Sequence, residues 1–314
     1  MTLRPALLGM ALLAGVLAPT MLYPVLLMKV LCFAIFASAF NLLLGYVGLL
    51  SFGHAAFFGG AAYVTGYLMR DAGWGPLSGV LAGTLSAAVL GWCVGRLAIR
   101  RQGIYFAMIT LALAQMLYFI CLELPQTGGE DGLQGIPRGT LAGLDLANDL
   151  TLYYVILGTS VLVFALLHRT IHSPFGRVLT AIRENEPRAI SLGYDVARYK
   201  LLAFVLSATL SGLAGALKVL VFKFATLTDA HWHMSGDVVL MTILGGMGTV
   251  PGPMVGAALI VSLEDQLADK VGSLVTVILG GVFVLCVLLF RRGIVGEMTG
   301  FWQRLLGQRN SSRI

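Results

Sequence analysis

Residues 25–44 read VLLMKVLCFAIFASAFNLLL and contain a single charged side chain, that of Lys29. A helix needs about 20 predominantly apolar residues to cross the hydrocarbon core of a bilayer. Further apolar runs lie at 6–23, 49–69, 77–97, 104–123, 152–168, 200–221 and 272–290. The sequence therefore predicts an all-α polytopic membrane protein, with one transmembrane domain over residues 1–314.

The composition supports this fold class. Of the 314 residues, 58% are hydrophobic and 11% are charged, whereas about 25% of the residues in a soluble domain are charged. Such a chain cannot cover a water-facing surface of the ordinary kind. High hydrophobicity also excludes an intrinsically disordered protein.

The positions of the charges predict the topology. Basic residues cluster in the loop after residue 97, in the loop 169–200 and after residue 290, while most acidic residues fall in the opposite loops. Because cytoplasmic loops carry the excess of Lys and Arg, both termini are predicted to be cytoplasmic and the loop 124–151 periplasmic. The net charge of +6 is thus a topology signal, and no nucleic-acid surface is predicted.

The apolar region 237–263 is interrupted by the sequence GGMGTVPGP at residues 245–253. Both flanking loops are predicted to lie outside, so the region must enter the membrane and return to the same side. We expect two short halves or a tilted pair around the break, since irregular backbone at membrane depth survives only inside protein or along a wet cavity. The total is about 8–10 transmembrane segments.

A weak internal repeat links this break to an earlier segment. Leu44–Gly48 and Leu244–Gly248 share the pattern L-G-x-x-G. Interrupted hydrophobic segments at corresponding positions of two halves mark the substrate path of many transporters. Close helix packing by small residues is the alternative reading.

Motifs for catalysis are absent from the sequence. It contains no Walker A loop, no HExxH and no G-x-S-x-G, so neither nucleotide hydrolysis nor hydrolase chemistry is predicted in this chain. His231 and His233 flank Trp232, but two His residues need further ligands to hold a metal, and interfacial packing is favoured. We predict no enzyme activity, metal or bound cofactor.

Few ionisable residues lie inside the predicted spans, which argues against a proton-coupled pump. His54 lies in the Gly-rich third segment, and Glu123 and Lys223 lie near span ends. Lys218 is deeper, but it is close to Lys223 in the sequence. We therefore expect its long side chain to reach the same interface.

The loop 169–200 carries interleaved apolar and charged residues, in the stretches SPFGR at 173–177 and AIRENEPRA at 181–189. This pattern predicts short amphipathic helices that lie on the membrane surface or dock into a partner. The alternative is that the charges only maintain the topology.

Several stretches together resemble a known family. They are NLLLGYVGLLSFGHAAFFG at 41–59, GIYFAMITLA at 103–112, TGGEDGL at 127–133, the loop stretches just quoted, and LGGMGT at 244–249. The resemblance covers about residues 41–290. It is to the LivM-type membrane permeases of branched-chain amino acid ABC transporters.

This resemblance implies a multi-pass pore in the bacterial inner membrane that works with other chains. Those chains would be a second, related permease, two cytoplasmic ATP-binding subunits that hydrolyse the ATP, and a periplasmic solute-binding protein. The loop 169–200 would be the element that couples ATP hydrolysis to transport. Its contact patch would comprise Arg177, Arg183, Glu184, Glu186, Arg188 and Gly193.

The function implied is import of a small solute by alternating access, with branched-chain amino acids as the favoured substrates. Urea, short amides or aromatic acids are alternative solutes, and a stand-alone secondary transporter or channel is the alternative mechanism. A mostly apolar path needs few polar groups to orient a small ligand. The candidates for the substrate path are Asn41, Ser51, His54, Tyr63, Thr110, Gly245 and Gly248.

Overall fold

The computed structural model describes residues 15–20, 22–141 and 143–274, together with 277, 278, 280, 281, 284, 288 and 293–297. Most of the predicted first span, 6–23, and of the predicted last span, 272–290, lies outside the described residues.

The described chain is mostly helical. Its helices are α1 (Pro24–Asn41), α2 (His54–Arg70), α3 (Pro76–Ala98), α4 (Ile104–Glu123), α5 (Asp149–His172), α6 (Pro174–Glu184), α7 (Glu186–Ser191), α8 (Val196–Phe222), α9 (Leu227–Ala230), α10 (Trp232–Gly245) and α11 (Gly252–Val271). A π-helical turn, Leu42–Val47, extends α1. Short 3₁₀ turns lie at Ala18–Thr20, Pro125–Thr127, Gly129–Asp131 and Gly272–Leu274.

Short strands occur only in the connections between described helices. Strand β1 (Leu133–Gln134) pairs antiparallel with β4 (Phe224–Ala225), and β2 (Thr140–Leu141) pairs antiparallel with β3 (Leu144–Asp145). Within the described part of the chain, five segments are long and apolar enough to cross a membrane: Pro24–Val47, Pro76–Ala98, Ile104–Glu123, Asp149–His172 and Val196–Phe222. The all-α polytopic fold predicted from the sequence is confirmed.

Helices α1 and α8 form the centre of the bundle. Helix α1 packs against α5, α8, α10 and α11, while α8 packs against α1, α2 and α3. Small residues permit the close crossings: a Cβ on Gly91 of α3 would lie 2.5 Å from the Cβ of Ala208 in α8. Helices α3, α4 and α5 are peripheral and present apolar side chains outward, among them Leu81, Leu85 and Met108.

Helix α2 begins later than the apolar run 49–69 predicts. Residues 48–53 are not helical, and the helix begins at His54. The irregular backbone is stabilised by two buried hydroxyls: Phe52 N–H donates to Thr110 Oγ1 at 3.2 Å, and Gly53 N–H donates to Ser51 Oγ at 3.2 Å. Irregular backbone inside a membrane protein requires such internal partners.

The interrupted region 237–263 forms a helical hairpin. Helices α10 and α11 pack together on either side of a turn at residues 246–251, which agrees with the predicted pair around the Gly/Pro break. The turn uses left-handed backbone at Gly248, with φ of 75°, a conformation that glycine adopts without steric penalty.

We call the end of the bundle that carries α6 and α7 the basic end, and the end that carries residues 124–148 the acidic end. The hairpin turn lies at the basic end, because Arg183 of α6 lies beside Gly248. Near the acidic end, Lys29 forms ion pairs with Glu264 at 3.6 Å and with Asp265 at 3.8 Å.

Candidate functional site: the α6–α7 loop and the helix junction beneath it

The loop 169–200 folds into two short helices, as its amphipathic pattern predicts. Each helix has a polar N-cap residue: Ser173 Oγ accepts from Gly176 N–H at 3.4 Å, and Asn185 Oδ1 accepts from Arg188 N–H at 3.0 Å. Leu179 and Ile182 of α6 are buried. The loop is therefore an ordered element with an apolar underside.

The residues predicted for the coupling patch divide into two groups. Arg177, Glu184 and Arg188 are exposed, and Gly193, with φ of 86°, forms the exposed turn after α7. Arg183, which is also exposed, and Glu186, which is half-buried, have partners within the chain and are described next.

Glu186 Oε1 accepts from Lys200 Nζ at 2.7 Å. Lys200 is only 4% exposed, so this ion pair fixes the beginning of α7 to the N-terminal part of α8. Glu186 therefore has a structural partner that the sequence pattern did not reveal.

The guanidinium of Arg183 donates to the carbonyl oxygen of Gly45. Its side chain also lies close to Gly48, where an added Cβ would be 2.8 Å from Arg183 Cγ. A Cβ on Gly248 would be 3.5 Å from Arg183 Nη1. Arg183 thus contacts both copies of the L-G-x-x-G pattern.

The two copies of that pattern pack directly against each other. Asn41 joins them, since its Nδ2 donates to Thr249 O at 2.8 Å and its Oδ1 accepts from Gly248 N–H at 2.9 Å. A Cβ on Gly45 would lie 2.7 Å from Gly248 N. We call the contact between Gly45–Gly48 and Gly245–Thr249, with Asn41 across it, the helix junction.

Three of the other substrate-path candidates form a second cluster. Ser51, His54 and Thr110 have no exposed surface in this chain. His54 Nε2 is hydrogen-bonded to Ser207 Oγ at 2.8 Å, and Ser207 Oγ donates to Ala39 O at 2.5 Å. The hydroxyl and imidazole groups therefore connect α1, α2 and α8 in the interior of the bundle.

Tyr63 lies apart from both clusters, farther along α2 than His54 and toward the acidic end. It is 3% exposed, and its hydroxyl is buried with no hydrogen-bond partner among the described residues. The structure thus separates the seven candidates into the helix junction, the His54 cluster and Tyr63.

The expectation that Lys218 reaches the membrane interface is wrong. Lys218 is 8% exposed and donates to the carboxylate of Asp229, which is 1% exposed. Its Nζ also lies 5.7 Å from the ring centroid of Phe222 and 5.6 Å from that of Phe224. Helix α9 packs onto α2 and brings the carboxylate inside the bundle, beside the ammonium.

Arg138 is a residue that sequence reasoning missed. It is 8% exposed, and its guanidinium donates to Leu220 O and Val221 O, each at 2.8 Å, while pairing with Asp149 at 2.5 Å. A cation at the C-terminus of α8 is favourable because the last carbonyls carry partial negative charge. The available signal was that Arg138 is the one basic residue between Leu124 and Asn148.

His231 and His233 stack at the acidic end, with ring centroids 4.7 Å apart, and the His231 ring lies 5.1 Å from that of Tyr118. Partial burial and the neighbouring His233 lower the pKa of His231. Among the residues that the structure describes, no group of three or more His, Cys, Asp or Glu is placed to hold a metal ion.

Comparison with known proteins assigns the chain to a family. The family model for the permease component of branched-chain amino acid transport systems matches residues 23–290. Among curated proteins, the high-affinity branched-chain amino acid transport permease LivM of Salmonella typhimurium is 30% identical over 280 residues, covering 81% of this chain and 65% of the relative. LivM of Escherichia coli is 29% identical with the same coverage.

The LivH permease of Escherichia coli is 23% identical over 286 residues, covering 84% of this chain and 91% of the relative. The chain spans about two thirds of the length of the LivM relatives. No solved structure gives a significant match. Because the family model extends over most of the sequence, from the start of α1 to beyond α11, the chain belongs to the family of branched-chain amino acid transport permease components.

Proposed function

We propose that this chain is a permease subunit of an ABC importer that moves branched-chain amino acids from periplasm to cytoplasm by alternating access. Family membership and the names of the relatives support this proposal. The observation that carries it is the α6–α7 loop, which presents charged residues outward while one arginine reaches the helix junction.

The proposed partners are a second, related permease, two cytoplasmic ATP-binding subunits that hydrolyse ATP, and a periplasmic solute-binding protein. The similarity of the chain to both LivM and LivH supports a pair of related permeases. On this proposal the bundle lies in the bacterial inner membrane as one permease domain, with residues 169–200 cytoplasmic and residues 124–151 periplasmic.

The exposed residues of α6 and α7 are the proposed contact with the ATP-binding subunits. Arg177, Glu184 and Arg188 point away from the bundle and offer both signs of charge to a partner. Complementary charges across an interface set the register of docking. Gly193 forms the turn at the end of this surface, whereas Glu186 holds α7 in place through its ion pair with Lys200.

The substrate path is proposed to open where the His54 cluster and the helix junction now close the bundle. Ser51, His54 and Thr110 are fully buried in the single chain. Their contact with solute therefore requires helices to separate during the transport cycle, which is the behaviour expected of alternating access.

The decisive test is reconstitution of the complete transporter in proteoliposomes with ATP inside and the solute-binding protein outside. Radiolabelled leucine should accumulate only with intact ATP-binding subunits, and a variant without ATPase activity serves as the control. Uptake of leucine by vesicles that contain this chain alone would overturn the proposal.

The same vesicles test the solute. Unlabelled isoleucine and valine should compete with labelled leucine, while urea, a short amide and an aromatic acid should not. Competition only by one of the latter compounds would replace the substrate class and leave the ABC mechanism in place.

A further inference from the structure

The helix junction brings together two helix C-termini and one cation. The π-helical extension of α1 ends at Val47, and α10 ends at Gly245. The last carbonyls of a helix have no intrahelical donor and carry partial negative charge. The guanidinium of Arg183, which is always protonated, donates to Gly45 O between these two ends.

Arg183 is exposed, but part of its side chain lies close against the helix junction. A Cβ on Gly48 would lie 2.8 Å from Arg183 Cγ, and a Cβ on Gly45 would overlap Asn41 Oδ1. Asn41 in turn holds the backbone of Gly248 and Thr249. Because backbone packs on backbone across the helix junction, a displacement of one of its two segments displaces the other.

We propose that Arg183 is the positioning residue through which movement of α6 reaches the α10–α11 hairpin. This inference rests on the proposed function, and it separates two roles within the loop. Arg177 and Arg188 contact the ATP-binding subunit, whereas Arg183 connects the loop to both segments of the helix junction.

Arg177, Arg183 and Arg188 are all exposed, so the distinction between them follows from their hydrogen bonding. Arg177, Arg183 and Arg188 have the same charge and lie within two consecutive short helices. Of these three, Arg183 donates to a backbone carbonyl of the helix junction. Loss of Arg183 should therefore leave docking intact and disconnect the hairpin, while loss of Arg177 should weaken docking.

The test uses the complete transporter in proteoliposomes and compares R183A, R183K and R177A with the wild type. Three quantities are measured: co-purification of the ATP-binding subunits, the ATP hydrolysis rate, and leucine taken up per ATP hydrolysed. R183A should retain assembly and hydrolysis, while uptake per ATP falls about tenfold, within the usual range of coupling between sites. R183K should recover part of the loss because it keeps the charge.

A second measurement does not depend on the solute or on uptake. Spin labels at T180C in α6 and M247C in the hairpin turn, with native cysteines replaced, report the distance between the loop and the turn. The distance should be the same in nucleotide-free and ATP-bound complexes with Arg183 present. It should change on ATP binding in R183A.

The outcomes separate this inference from the proposed function. Wild-type uptake per ATP in R183A, or a parallel loss of subunit co-purification, would overturn the role of Arg183. The same follows if the label distance changes on ATP binding when Arg183 is present. If the wild-type complex binds its ATP-binding subunits but transports no leucine, the proposed function itself fails, and the label distance, which requires only the ATP-bound complex, still tests the role of Arg183.

Discussion

The Lys218–Asp229 ion pair offers the sharpest test of the structure, because sequence reasoning expects Lys218 at the interface. The side chains are 10% and 2% exposed, respectively. Removing one partner of a buried pair leaves an uncompensated charge and costs about 3–5 kcal/mol. D229N should therefore lower the free energy of unfolding by about 3 kcal/mol or more, since the buried amine of Lys218 loses its carboxylate partner.

The double variant distinguishes pairing from mere loss of packing. In K218M/D229N neither charge remains, and the amide that replaces the carboxylate still offers an oxygen to Thr226, whose N–H and Oγ1 contact Asp229 Oδ2 at 3.4 and 3.2 Å in the wild type. Replacement of a buried pair by uncharged groups is often nearly neutral. The double variant should thus be more stable than either single variant.

The assay is equilibrium unfolding in mixed detergent micelles, followed by circular dichroism, with K218M, D229N and the double variant in one series. If Lys218 reached the interface, D229N would change stability by less than about 0.5 kcal/mol, as surface substitutions do. That result would refute the reasoning, and so would a double variant whose loss equals the sum of the single losses.

Further predictions concern packing, the helix junction and pH. G215A should strongly destabilise the protein, because its Cβ would overlap a backbone oxygen of α2. G158A, whose Cβ would have no atom within 4 Å, should leave the free energy of unfolding unchanged or raise it by up to about 1 kcal/mol. The two variants are compared by their melting temperatures. N41A should lose about 1–3 kcal/mol because it removes both hydrogen bonds across the helix junction, and unchanged unfolding would contradict this. The pKa of His231, measured by NMR, should lie below 6.5 and should rise in H233Q, because burial and His233 disfavour its charged form. The folded state should therefore lose stability as the pH falls below about 6.5. A measured pKa above about 6.5 would contradict this prediction.

The hydropathy pattern was sufficient to predict the helices, but not the irregular backbone before α2. The run 104–123 gave the bounds of α4 without error, because an uninterrupted apolar stretch has only one way to satisfy its backbone in a membrane. The run 49–69 failed at its start, since residues 48–53 obtain their partners from Ser51 and from Thr110 of a later helix. No periodicity in a sequence reveals such a distant partner.

The sequence by itself determined the class of this protein, the amphipathic helices of the loop 169–200 and the hairpin around the Gly/Pro break. Hydropathy, charge distribution and glycine position determine structure over a few neighbouring residues, so the sequence alone is enough to interpret them. Only the tertiary structure decided that Lys218 is paired inside the bundle, that Arg183 donates to the carbonyl oxygen of Gly45, and that the two L-G-x-x-G patterns touch through Asn41. Those outcomes depend on contacts between residues as far apart as Asn41 and Thr249, separated by 208 positions, and the free energy of burying a polar group is set by the partner that folding brings to it.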